Sequence, residues 1–313
     1  MSLSADALSR ALAALAAGEC IGLPTETVYG LAADAENPEA IRKVFARKGR
    51  PADHPLILHL GAVGWMERYA RDIPAQAFDL AERFWPGPLT LVLERGAAVP
   101  LEATGGQDTV ALRMPDHALA LEVLRRFGRA LVAPSANRFG GLSPTRAEHV
   151  REAFPDLIVL DGGPCRHGIE STILDLSREP PLILRPGAIP RHALETVIGK
   201  LPIAAEVPRP RVPGGLPRHY APETPIRLLP REALSSTTGG SLVLAIGTLP
   251  EGLSGIALPN DPSAYAQRLY AALRELDRAG AASILVELPP NEPAWEAIQD
   301  RLRRAAATPD RAS

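Results

Sequence analysis

Two groups of residues near the start of this 313-residue chain have the types and spacing for chemistry. The first is Pro24-Thr25-Glu26-Thr27-Val28-Tyr29-Gly30-Leu31, which follows the apolar run Cys20-Ile21-Gly22-Leu23. Hydroxyls, a carboxylate and a phenol at a strand end cost free energy to bury unless each finds a partner. The second is Arg47-Lys48-Gly49-Arg50-Pro51, a cationic run whose natural partner is an anion. Pro51 and Pro55 restrain the chain that follows, which carries His54 and His59. Taken singly, each group has a plainer reading: a capped turn, a solvated helix end matched to the helix dipole, a buried structural histidine.

Other strand ends repeat the theme. Arg113 closes Thr109-Val110-Ala111-Leu112-Arg113, and an arginine at the end of a buried strand needs an anion from protein or ligand. Ala133-Pro134-Ser135-Ala136-Asn137 is a turn of small residues that lets a bulky ligand approach the backbone. It lacks the Gly-x-Ser-x-Gly pattern, so Ser135 is not read as a nucleophile. Ser171-Thr172 begins one strand, and Arg185-Pro186-Gly187 ends another. Ser143-Pro144-Thr145 reads as a helix N-cap, which is also a seat for phosphate. The chain has no P-loop, no Gly-x-Gly-x-x-Gly fingerprint and no His-Glu-x-x-His. A bound nucleotide would therefore rest on scattered cations and small-residue turns.

The elements that must position these residues follow from periodicity and punctuation. Leu8, Ala11, Leu12 and Leu15 make a helical stripe after Ser4 as cap, ended by Gly18. Asn37-Pro38-Glu39 opens a helix that Gly49 stops. Further helices are expected over 74–84, 116–127, after Ser143, and over 190–199. Strands are expected over 19–23, 56–60, 89–93, 109–113, 130–133, 157–160, 171–176 and 181–184. Without strict alternation, this predicts a twisted mixed sheet flanked by helices. Residues 206–225 hold Pro208, Pro210, Pro213, Pro217, Pro222 and Pro225, which favours an extended linker. Beyond it, strands at 242–246 and 283–287 with helices at 261–279 and 293–304 predict a small α/β layer.

Composition bounds the class. Hydrophobic residues make up 46% and charged residues 22%, the balance of a soluble globular chain with room for two cores. A net charge of -2 argues against tight non-specific nucleic-acid binding. Two cysteines, Cys20 and Cys165, exclude a disulfide scaffold or multi-cysteine zinc site. No run is long enough to span a bilayer and the start lacks a signal peptide, so a cytoplasmic location is expected. Lysines number only three against many arginines, which makes Lys48 within the cluster slightly more notable.

Pro24–Leu31, Lys48-Gly49-Arg50-Pro51, Phe84-Trp85-Pro86-Gly87-Pro88-Leu89-Thr90, Ala133–Asn137 and Leu184-Arg185-Pro186-Gly187 together resemble the YrdC-like domain. Pro213-Gly214-Gly215-Leu216-Pro217-Arg218-His219-Tyr220-Ala221-Pro222 resembles the linker of its two-domain members, the L-threonylcarbamoyladenylate synthases. The resemblance is strong and in order over the first 200 residues and looser beyond the linker. It implies a YrdC-like open sheet over 1–205, a linker over 206–225 folding across the active site, and a small Rossmann-like domain over 226–313. It implies synthesis of threonylcarbamoyl-AMP and pyrophosphate from L-threonine, bicarbonate or carbon dioxide, and ATP with magnesium. The product serves modification of tRNA, by hand-over to a tRNA threonylcarbamoyltransferase; direct tRNA binding stays open.

By motif, Thr27, His59, Arg113, the backbone of Ala133 and Ser171 would hold threonine. Arg50, His54, Thr109, Ser135, Ser143, Arg185 and Tyr220 would contact the nucleotide, with Asn137 assisting Ser135. Lys48 and Arg50 would be the catalytic cations. No protein metal ligand and no general base is implied. His54 stands where the family usually has asparagine, which makes its contribution pH-dependent. Gly215-Leu216-Pro217 replaces the family's frequent Met, Lys and Tyr, while Arg218–Pro222 survives. Two other classes compete: a carbamoyltransferase of the hydrogenase-maturation type, disfavoured by the shortage of cysteines, and an RNA-binding module, disfavoured by the neutral charge balance.

Overall fold

The computed structural model describes residues 5–202, 211–215, 218–235 and 240–307. Ser4, expected to cap the first helix, lies outside them, as do Pro208, Pro210 and Pro217 of the linker. The backbone divides into two compact units. The first comprises Met1–Phe139, Pro144–Arg166 and Glu170–Gly215; the second comprises Gly140–Ser143, His167–Ile169 and Leu216–Ser313.

The first unit opens with helix α1 (Ala5–Ala16), strands β1 (Ile21–Leu23) and β2 (Gly30–Asp34), then helix α2 (Pro38–Lys48). Asn37 caps α2 through its side chain, and Gly49 ends it in the left-handed conformation, as the sequence predicts. Strand β3 (Ile57–His59), short helix α3 (Met66–Tyr69), β4 (Ala70–Arg71), α4 (Ala75–Phe84) and β5 (Leu89–Arg95) follow. Next come α5 (Leu101–Thr104), β6 (Thr109–Arg113), α6 (Ala118–Phe127), β7 (Leu131–Val132), α7 (Ala147–Ala153) and β8 (Ile158–Val159). Strands β9 (Thr172–Asp175) and β10 (Leu182–Arg185) and helix α8 (Arg191–Ile198) complete the unit. The sheet order is β10-β9-β5-β6-β3-β7-β2-β1-β8, with β4 on β5, and both parallel and antiparallel pairs occur. The expected mixed sheet is thus present.

Two local expectations fail for physical reasons. Strand β2 is built of Gly, Leu, Ala and Asp, buried throughout, and such small residues carry little strand propensity. Ser143 does not cap a helix: α7 begins at Ala147 with Arg146 at its cap position. The intervening chain is paired instead. Tyr29 N–H donates to the Pro144 carbonyl, Cys165 N–H donates to the Thr145 carbonyl, and Thr145 N–H donates to His149 Nδ1.

Side-chain alternation sends the strands' residues to two faces. One face buries Leu58, Leu91, Leu112, Leu174 and Ile183 against α2, α4 and α8. On the other, Ile21, Leu23, Ala32 and Leu131 pack under α1 and α6. The rest of that second face is the small cluster Ile57, Val92, Ala111, Ile173, Leu182 and Leu184, to which no helix residue belongs.

The second unit holds β11 (Ile226–Leu229), α9 (Arg231–Leu234), β12 (Ser241–Ile246), β13 (Gly255–Leu258), α10 (Pro262–Arg278), β14 (Ser283–Glu287) and α11 (Glu296–Ala306). Its strands form an all-parallel sheet in the order β11-β14-β12-β13. β11 and β13 escape sequence reading because each is four residues long beside proline or glycine. The connection from β12 to its neighbour β13 contains no helix, which departs from the helical crossover of a Rossmann unit.

Candidate active site

The sheet patch whose cluster no helix residue joins carries most of the residues singled out by sequence. Thr109, Ala111 and Arg113 share a face of β6 by alternation. On β3, Ile57 and His59 stand opposite Ala111 and Arg113; on β5, Val92 stands opposite Ala111. Across β9, Ile173 pairs with Thr90. The result is an apolar floor with a polar group of residues at each end.

At one end the strand termini place His59, Arg113, Ser171 and Arg185, all buried. Arg185 is the organiser. Its Nε and Nη2 donate to the Ser171 carbonyl at 3.1 and 2.8 Å, and Nη2 also reaches Ser171 Oγ at 3.1 Å. Ser171 Oγ in turn lies 2.8 Å from Thr90 Oγ1. Close approach of the backbone is required here: a Cβ on Gly187 would lie 2.3 Å from Thr172 N. Arg113 Nε donates to the Gly87 carbonyl at 3.3 Å, and its Nη2 lies 2.7 Å from Glu26 Oε1. His59 Nδ1 is 3.3 Å from the Ile57 carbonyl. Burial first, then the charge of Arg113, pushes its pKa down to about 3, so the ring is neutral at physiological pH.

The opening motif is mostly framework. Thr25 Oγ1 accepts from the Thr27 and Val28 N–H groups, donates to the Val28 carbonyl at 2.6 Å, and lies 2.9 Å from Thr27 Oγ1. This hydroxyl turn aims Thr27. Tyr29 OH donates to the Gly163 carbonyl at 2.7 Å and accepts from Gly162 N–H at 3.0 Å. Burial raises its pKa, so the phenol stays protonated. Thr25, Thr90, Glu26 and Tyr29 touch this framework or the residues it borders, and sequence reasoning left them without roles. For Thr25 a signal existed, a threonine two and three residues before the amides it caps.

At the other end, Lys48 and Arg50 leave α2 toward the 133–137 turn and the start of β3. Lys48 Nζ donates to the carbonyls of Ser135 and Asn137 at 2.5 and 2.7 Å. Burial, reinforced by Arg50, holds its pKa well below the ordinary lysine value. Its visible partners are thus backbone oxygens, and it shapes the turn that carries Ser135. Arg50 Nη2 donates to the Pro55 carbonyl at 2.9 Å. Ala133 N–H donates to the Ile57 carbonyl at 3.2 Å, and Ser135 bridges to Gly30. Gly30 must be glycine: its Cβ would lie 2.8 Å from that of Ala133. Asn137 Nδ2 donates to the Arg138 carbonyl. His54 packs its ring edge-on to Phe139, and burial with the nearby Arg50 lowers its pKa. Thr109, half-buried, begins β6.

The described part of the linker in this unit, 211–215, belongs to the same face. Val212 packs on the apolar floor, and Arg185 Nη1 donates to the Pro213 carbonyl at 3.0 Å. Arg211 and Gln107 exchange two bonds, while the Arg211 guanidinium reaches Asp53 and the Gly105 carbonyl.

Ser143 and Tyr220 belong to the second unit. There Ala221 N–H donates to the Gly140 carbonyl, and Tyr220 adopts a left-handed φ of 61°. Its ring stacks on Tyr270 and lies under the Arg301 guanidinium. Among the described residues no three His, Cys, Asp or Glu side chains converge on a metal position, and no helix is long and apolar enough to cross a membrane.

The fold is that of a known class, and the chain belongs to it. Residues 13–187 match the Sua5/YciO/YrdC family, described as Telomere recombination, and residues 189–307 match the family Threonylcarbamoyl-AMP synthase, C-terminal domain. The threonylcarbamoyl-AMP synthase of Pyrococcus abyssi is 41% identical over 308 residues, covering 92% of this chain and 91% of that one. That of Bacillus subtilis is 37% identical over 322 residues, covering 96% and 92%. A crystal structure of P. abyssi Sua5 complexed with L-threonine matches with TM-score 0.89 at 38% identity, covering 96% of this chain and 94% of that one. Full-length HypF, at 18% identity and TM-score 0.51, shares the fold alone.

Proposed function

We propose that this chain is an L-threonylcarbamoyladenylate synthase, a nucleotidyltransferase acting on L-threonine, carbon dioxide or bicarbonate, and the magnesium complex of ATP. The observation that carries the reading is full-length kinship with threonylcarbamoyl-AMP synthases through both domains. The one-sided sheet patch with polar groups at its two ends supports it. In this reading Arg113 receives the amino acid's carboxylate, with Thr27, neutral His59, the Ala133 backbone and Ser171 around the rest of the molecule. Arg50, His54, Thr109, Ser135, Asn137 and Arg185 face the nucleotide, and Lys48 holds the 135–137 turn in place.

The chemistry fits such a site. Threonine's amine attacks carbon dioxide, and a carbamate oxygen then attacks the α-phosphorus while pyrophosphate leaves. Two anions must meet, so positioning and charge neutralisation by Arg50 and Arg185 dominate catalysis. Magnesium would come with the triphosphate that chelates it and would neutralise part of its charge. The mixed anhydride is reactive, so a tRNA-modifying transferase must consume it promptly. Incubation with ATP, L-threonine, bicarbonate and magnesium should release pyrophosphate only when every component is present. Failure of folded protein to do so would overturn the reading.

A further inference from the structure

Glu26 is fully buried, yet neither of its carboxylate oxygens has a hydrogen bond among the described residues. Among the described residues its ion-pair partner is Arg113, whose Nη2 lies 2.7 Å from Oε1 but off the N–H direction. A buried carboxylate with no bonds of its own is costly, and a pair of this geometry does not repay its desolvation well. Hydrogen bonding thus gives no structural reason for a glutamate at this position. Burial lowers the pKa of His117 and raises that of Cys165, so both are neutral at pH 7, as is His59. The other cations of the sheet face, Arg50 and Arg185, are those assigned to the triphosphate.

Resting on the reading above, we propose that Glu26 is a positioning and charge-balancing residue that makes the threonine pocket selective for a zwitterion. Arg113 alone would be a general receptor for small carboxylates. Paired with Glu26, it belongs to an ion pair of zero net charge, and a neutral amino acid docks on that pair without adding a buried excess charge. A carboxylic acid lacking the amine would leave one uncompensated negative charge in the same low-dielectric space. Glu26 has no accessible surface, so it acts through Arg113 and does not itself touch the ligand.

The test is calorimetric binding of L-threonine and of (R)-3-hydroxybutyrate, its amine-free counterpart, to wild-type, Glu26→Gln and Glu26→Asp full-length protein. Wild type should prefer L-threonine by about tenfold or more, the least expected of one uncompensated buried charge. Glu26→Gln should weaken L-threonine while binding the hydroxy acid at least as well as wild type does, bringing the ratio near one. Glu26→Asp, which keeps the charge, should keep the preference. A purely structural role would weaken both ligands together and leave the ratio unchanged. An unchanged ratio in Glu26→Gln, or its loss in Glu26→Asp, would overturn the proposal. Should Glu26→Gln not fold, the Glu26→Asp ratio decides, and equal wild-type affinity for the two ligands overturns the proposal by itself. Absence of any L-threonine binding to wild type would instead overturn the proposed function.

Discussion

Acidification from pH 7 to pH 4 should cost the first unit a specific part of its stability, and His59 is the cause. The ring is buried beside Arg113, with a folded pKa of about 3 against an ordinary 6.5. A depressed folded pKa means that the unfolded chain binds the proton first, so stability falls as pH falls through this window. The contribution is whole above pH 6.5 and disappears as pH approaches 3. Between pH 7 and pH 4 the linkage integral gives a loss of about 3 kcal/mol. Carboxylates titrate over the same range, so the measurement must be differential. His59→Gln retains a polar side chain but has no proton to take up. Urea unfolding of both proteins at both pH values should show wild type losing about 3 kcal/mol more than the variant. A Trp295→Phe background leaves Trp65 and Trp85, both in the first unit, as the fluorescent reporters. Equal losses in the two proteins would refute the neutral, buried imidazole and with it the electrostatic picture of this end of the site.

Lys48→Met should leave the Ser135 and Asn137 carbonyls without a donor, at about 1–3 kcal/mol for each unsatisfied group, and weaken ATP binding by roughly tenfold. Unchanged ATP affinity by calorimetry would show that the lysine does not position the turn. Arg50→Ala and Arg185→Ala should each cut pyrophosphate release by about 100-fold or more with circular dichroism intact, as expected of charge-neutralising groups. Full activity in both would remove the cationic half of the site. Thr25→Val, near-isosteric, deletes the bonds to Thr27, Val28 and their amides and should cost about 1–3 kcal/mol in urea; a change within about 0.5 kcal/mol would mean the turn stands without its hydroxyl. Residues 1–206 alone should be nearly inactive, since they lack Arg211–Pro213, which bind Gln107, Asp53 and Arg185, and Tyr220. Wild-type turnover by that fragment would show the linker to be dispensable.

Much of the catalytic sheet was legible because its strands obey period two and its helices carry ordinary signals, such as Asn37 with Pro38 at one end of α2 and Gly49 at the other. The elements that escaped are those whose cause is distant. Strand β2 is made of small residues that become a strand only because β1 and β7 pair with it. The Ser143 segment reads locally as a cap, but the adjacent Pro144 and Thr145 pair with Tyr29 and Cys165, and the helix starts only at Ala147. Tertiary hydrogen bonds outweigh a cap worth about 1 kcal/mol.

The same distinction separates the legible from the illegible part of the site. Residues proposed to offer a charge or hydroxyl to a ligand, such as Arg50, Arg113 and Ser171, are recognisable by type and by their place at the ends of elements. Residues that aim them are not, because their role is a pairing across the chain. Ser171 is set by Arg185 and Thr90, and Arg113 by Gly87 and Glu26. Sequence shows Glu26 only as one carboxylate in a polar run. Its meaning depends on whether it faces solvent, a substrate or an arginine, and the three differ by the whole desolvation cost of a buried charge. Burial against Arg113 decides that choice, and on the proposed reading the opening motif is less a ligand wall than its frame: Thr27 is the residue presented, while Thr25, Glu26 and Tyr29 each hold something else in place.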